Sequence, residues 1–191
     1  MTRARLEAFS DAVIAILMTI MVLELKVPQG TTVSALHPVV PVFLTYVLSF
    51  VNLGIYWNNH HHMLSATERI NGKILWANLH LLFWLSLFPF MTGWMGENHF
   101  APVPTALYGV VLLLAAIAYY ILKTTIVSAQ GPESRLATAL GDDFKGKMSP
   151  VLYIVAIPLA FVSRWIALGI YVFVALMWLV PDPRIESTLE S

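Results

Sequence analysis

Residues 5–28 read RLEAFSDAVIAILMTIMVLELKVP, and the reading of this stretch decides the fold. From Ala12 to Leu25 only Thr19 and Glu24 interrupt an apolar run, so with its approach the segment has the ~20 residues a helix needs to cross a bilayer core. Yet it opens with Arg5, Glu7, Ser10 and Asp11, which places a carboxylate inside the run. The basic start resembles a signal peptide. The apolar stretch is too long for a signal core, however, and no small-x-small cleavage site precedes Glu24 and Lys26, so it reads as a retained first transmembrane helix.

Composition supports a membrane protein. Of the 191 residues 58% are hydrophobic and 12% charged, about half the ~25% charge of an ordinary soluble domain. Net charge is zero, which argues against a nucleic-acid partner held by phosphate contacts. The chain has no cysteine, which excludes disulfides, thiolate catalysis and Cys-based metal sites.

Six apolar segments follow one another at roughly 6–25, 39–60, 74–95, 104–127, 149–163 and 165–181. They predict an all-α integral membrane protein with one six-helix domain over 1–191. The fifth segment carries Pro158 and is expected to be kinked or tilted. The fifth and sixth are divided only by Ser163 and Arg164, which predicts a tight hairpin. In the one long connection, 128–149, the ESRLATAL stretch predicts a short surface helix, and the tail after Pro181 reads as loose. With six spans both termini share a side. That side collects Arg3, Arg5, Arg69, Lys73, Lys123, Arg135, Lys145, Lys147 and Arg184, leaving only Lys26 and Arg164 of the 11 basic residues for the other. The positive-inside rule then places both termini in the cytoplasm of a cell bounded by this plasma membrane.

On the first helix Ile16, Ile20 and Leu23 share a face, with Thr19 at its edge. Periodicity leaves two readings of this stripe open: ordinary helix packing, or the lining of a pore. Asp11 likewise has two. It can sit at the interface, favoured by the helix dipole, or it can face the bundle interior and take a partner from another helix. The second helix ends on the same side at YWNNHHHM (56–63), and the third leaves it through KILWANLH (73–80). Trp57, Asn58, His60, His61, Asn78 and His80 are therefore candidates for a hydrogen-bonded collar around Asp11. Three consecutive histidines, ~100° apart on a helix, cannot converge on one ion. H-E-x-x-H spacing is also absent, which argues against a zinc enzyme, and with no paired acid and base, Gly-rich phosphate loop or nucleophile elbow no enzyme is expected.

Arg5, Phe9, Ser10 and Asp11 form an R-x-x-x-F-S-D pattern that resembles the signature of the endolysosomal potassium channel family, typified by transmembrane protein 175. The six-span layout, the YWNNHH end of the second helix and the NLH and FPF elements of the third extend the resemblance along the chain. Family members of the human type carry two six-helix repeats, so a chain with one is similar to the bacterial form. The resemblance implies a homotetramer in the lipid bilayer whose first helices line a central pore for monovalent cations, without a T-V-G-Y-G filter. It implies a constriction at Ile16, lumen turns at Thr19, Ile20 and Leu23, and a bracing network of Arg5, Phe9, Ser10 and Asp11 with His60 and His61. Potassium is then the permeant ion, with no cofactor. An apolar ring favours potassium modestly over sodium, because potassium sheds hydration water more easily. The alternative is a proton- or ion-coupled carrier that uses Asp11 and the histidines.

Overall fold

The computed structural model describes residues 2–131 and 143–179. It is almost wholly helical: α1 (Arg3–Ile20), α2 (Val40–Ser65), α3 (Gly72–Leu85), α4 (Phe88–Glu97), α5 (Pro102–Gln130), α6 (Phe144–Val162) and α7 (Arg164–Leu179). Tighter 3₁₀ turns at Met21–Glu24 and Val33–Val39 extend the end of α1 and the start of α2. Among the described residues five helical runs are long and apolar enough to cross a membrane, counting α3 and α4 as one. The sixth, α7, is apolar over its 16 residues. The predicted surface helix at ESRLATAL and the tail after Pro181 lie outside the described residues.

Five of the predicted segments differ from the corresponding helices by up to five residues at an end. The third is different, because it is two helices. Pro89 has no N–H to give, and its ring would collide with the carbonyl of Leu85, so the helix stops and restarts at Ser86–Leu87. Pro89 then occupies the first turn of α4, where a missing donor costs nothing. Helix α6 runs through Pro150 and Pro158 without interruption. The hairpin between α6 and α7 turns at the single extended residue Ser163.

Side-chain contacts identify the two ends of the bundle. At one end Arg3 reaches the carbonyl of Ser65, and Lys123 pairs with Asp143, the N-cap of α6. At the other, Lys26 binds Glu97 at 2.5 Å, which holds the Lys26 ammonium above its ordinary pKa through hydrogen bond and charge. Here too Arg164 donates to the carbonyl of His99. Between the ends, α1 lies against α2, α3 and α4, while α5 packs between α3 and α6. Leu53, Phe88, Tyr108, Leu112 and Tyr171 fill the interior.

The approach of α4 to α2 requires a glycine. A methyl group on Gly96 would lie 2.6 Å from the Cα of Val42 and 2.7 Å from Thr45 Oγ1, closer than unbonded atoms approach. Gly96→Ala is expected to destabilise the fold by about 2 kcal/mol, as overpacking does, lowering the thermal midpoint in detergent. Gly72→Ala, whose methyl meets nothing within 4 Å, should leave that midpoint unchanged or slightly raised.

Candidate functional site

The polar residues of α1 occupy positions that two neighbouring helices answer. Leu6, Ser10, Ile14 and Leu17 are buried, and their four- and three-residue spacing turns one face of α1 into the bundle. Ser10 is the polar member of that face and is fully buried. Its hydroxyl donates to the carbonyl of Leu6 at 2.9 Å and accepts from Asn78 Nδ2 of α3 at 2.9 Å. Asn78 Oδ1 in turn lies 2.7 Å from His60 Nε2 of α2. A carboxamide oxygen only accepts, so His60 Nε2 carries the proton. The result is a one-way relay, each group donating to the next, from α2 through α3 to the backbone of α1. The other ring nitrogen of His60 is buried and has no hydrogen-bond partner among the described residues.

Beside the relay, α1 and α2 form an antiparallel ladder. Arg3 Nη1 donates to Ser65 O at 2.8 Å, His61 Nδ1 meets Glu7 Oε1 at 2.8 Å, and Trp57 Nε1 donates to Asp11 Oδ1 at 3.1 Å. Residues 3, 7 and 11 advance by four along α1 while 65, 61 and 57 retreat by four along α2, so each rung is one turn from the next. The rings of Trp57 and His61 stack at a centroid distance of 6.2 Å, stiffening the α2 side.

The structure thus brings together Ser10, Asp11, Trp57, His60, His61 and Asn78. It separates four others from them, the first being Asn58, which is exposed on α2 and takes no part in the relay or the ladder. Arg5 is exposed and makes no hydrogen bond or ion pair among the described residues. Phe9 is exposed on the opposite side of α1. His80 accepts from Trp84 Nε1 at 2.9 Å on the outside of α3, because residues 78 and 80 point ~200° apart on a helix. Two members, Arg3 and Glu7, are absent from the sequence expectation. Their signal is the shared four-residue step of Arg3, Glu7 and Asp11 against Trp57, His61 and Ser65.

The other face of α1 has no partner among the described residues. Ile16 is 60% exposed, Ile20 44% and Leu23 76%, and Thr19 is exposed beside them. The Thr19 hydroxyl folds back onto the carbonyls of Ala15 and Ile16, both at 3.0 Å, so this face offers side-chain carbon rather than free hydroxyls. Among the described residues no group of three or more His, Cys, Asp or Glu side chains is placed to hold a metal ion.

Known proteins share this fold. A family model described as "Endosomal/lysosomal potassium channel TMEM175" matches residues 5–89, the segment that carries the relay and all but one residue of the ladder. A protein of Chryseobacterium sp. (strain P1-3), described as a potassium channel, is 53% identical over 191 residues, covering 100% of both chains. Another potassium channel, from Chamaesiphon minutus, is 31% identical over 180 residues, 87% of this chain and 88% of its own. The crystal structure of a lysosomal potassium-selective channel TMEM175 homolog from the latter organism matches with a TM-score of 0.83 at 30% identity, covering 93% of this chain and 96% of that one. On these grounds the chain, a multi-pass membrane protein, belongs to the TMEM175 family of ion channels, not enzymes.

Proposed function

We propose that the protein is a homotetrameric potassium-permeable channel in which four α1 helices surround the pore and Ile16, Ile20 and Leu23 form its apolar wall. One observation carries the reading. The relay and the ladder fix the rotation of α1 about its own axis, so the three aliphatic side chains are aimed in one direction. A stripe that only met lipid would need no such aim, since acyl chains accept it at any angle. One helix cannot enclose a pore, and fourfold repetition around the exposed face supplies the missing walls. The similarity to a potassium-selective channel over 93% of the chain supports the same reading.

The mechanism follows from the chemistry of that face. From Ile16 to Leu23 the wall extends ~10 Å along the axis. An ion passing it loses part of its hydration shell and receives no oxygen ligands in return, which penalises sodium more than potassium and gives modest selectivity. When narrow, such a collar excludes water and blocks current. Asp11 is bound to Trp57 rather than facing the ion, so its part is to hold the helix. Potassium is cargo, and the mechanism calls for no cofactor. The basic residues gather at the end that holds Arg3 and Ser65, which by the positive-inside rule is the cytoplasmic side of the plasma membrane, with both termini there.

Three measurements test this. In potassium-loaded liposomes the wild-type protein should carry currents that favour potassium over sodium, and Ile16→Asn should enlarge them and bring the permeability ratio toward one. Silent membranes, or saturating flux that requires a proton gradient, would overturn the channel in favour of a carrier. Asn78→Ala leaves both Ser10 and His60 without their shared partner and should cost about 2–4 kcal/mol of stability, whereas Trp57→Phe, which loses one bond and keeps the ring, should cost about 1 kcal/mol. Because the chain has no cysteine, Gln29→Cys gives a unique label site. In intact cells it should react with an impermeant maleimide, while Glu68→Cys should react only after lysis.

A further inference from the structure

On the outer side of α3, away from both the relay and the exposed face of α1, a groove of about 830 Å³ runs between the start of α3 and the last third of α5. Lys73, Trp76 and His80 line one wall, and Ile121 and Thr125 line the other. On α3 these three residues fall within ~60° of one another around the axis. They are also graded along it: Lys73 stands in the first turn, Trp76 one turn deeper and His80 ~10 Å below Lys73.

Each level has its own chemistry. Lys73 is exposed and forms no ion pair among the described residues, and the groove contains no carboxylate. Trp76 is 75% exposed where an aromatic ring suits the headgroup–hydrocarbon boundary. His80 accepts at Nε2 from Trp84, which in the neutral ring puts the proton on Nδ1 and leaves an N–H donor available. Farther along, exposed Phe83 on α3 and Ile117 on α5 continue the path as bare hydrocarbon. The sequence from cation to aromatic to single donor to apolar surface matches phosphate, glycerol, ester carbonyl and acyl chain.

We propose that this groove binds one anionic phospholipid per chain, with its phosphate on Lys73, an ester carbonyl on His80 Nδ1–H and an acyl chain along Phe83 and Ile117. Charge decides the class of lipid. A zwitterionic choline headgroup brings its own cation to the phosphate and gains little from Lys73, whereas phosphatidylglycerol keeps its negative charge for the lysine. A soluble phosphate would meet the lysine alone and leave the lower levels unused.

The test uses the purified full chain in detergent, exposed to dioleoyl-phosphatidylglycerol, to dioleoyl-phosphatidylcholine or to inorganic phosphate. Native mass spectrometry counts retained lipid, and thermal unfolding is followed in parallel. Phosphatidylglycerol should be retained and raise the midpoint, and the other two should not. Lys73→Glu should weaken retention about tenfold, the scale of one lost charge-assisted contact, with Lys73→Arg restoring it and the lipid-free midpoint unchanged in both. His80→Phe should weaken it less. Equal retention of the two lipids by the wild-type protein, or equal stabilisation by inorganic phosphate, would overturn the proposal without reference to any variant. So would efficient cross-linking between copies through Trp76→Cys in native membranes, because a neighbouring chain would then occupy the groove.

Discussion

Asn78 is where α1, α2 and α3 become one body. Its oxygen accepts a hydrogen bond from His60 and its nitrogen donates one to Ser10, so a single side chain uses both ends of its amide dipole on two different helices. In a hydrocarbon setting each of these groups would be costly without a partner. A Ser or an Asn alone in this position is a liability, and the pair with His60 is a directional clamp. The donors run one way only, and removing the side chain of any member leaves a buried polar group without its partner. The clamp therefore specifies which residues of α1 face inward. The exposure of Ile16, Ile20 and Leu23 is the consequence.

The ladder acts in a different dielectric. Ser10 and His60 are fully buried, whereas His61 and Glu7 are partly exposed, with side-chain accessibilities of 45% and 19%. Pairs in such surroundings contribute little energy individually. Three of them at one-turn spacing define position all the same. At the far end of α1 the hold changes character: Met21 is buried against Thr92, whose hydroxyl lies 3.7 Å from its sulfur, and the Glu24 side chain lies against Gly93 of α4. The Ser86–Leu87 break allows this division, since α3 clamps the first half of α1 and α4 packs on the second.

Much of the fold is legible in the sequence because hydrocarbon solvent writes a simple pattern, long apolar runs with charge pushed to their ends. The break before Pro89 was hidden by that same pattern, since a run of apolar residues reads alike whether one helix or two carry it. The opposite outcome at Pro158 shows that proline alone does not decide: the helix there continues, with its neighbours packed on both sides. In the site, the candidates nearest the signature were visible because polar residues in an apolar helix stand out. Glu7 and Arg3 were missed for the converse reason, as charges at a helix start look like interface residues. His80 was drawn in by chemistry and is excluded by angle, two residues from Asn78 being nearly the far side of a helix.

The constant step of the ladder also limits how α1 can travel. Sliding α1 by one turn toward its own C-terminus would set Glu7 beside Trp57 and bring the guanidinium of Arg3 onto His61, while Asp11 would face Leu53. Sliding it the other way would place Glu7 against the Ser65 carbonyl and leave Trp57 opposite Ala15. Either displacement also tears Ser10 from Asn78, and no half-turn position restores the lost bonds. The ladder is in this sense a vernier with one matching mark. Translation along the axis by one turn therefore costs α1 the buried relay and two of its three rungs.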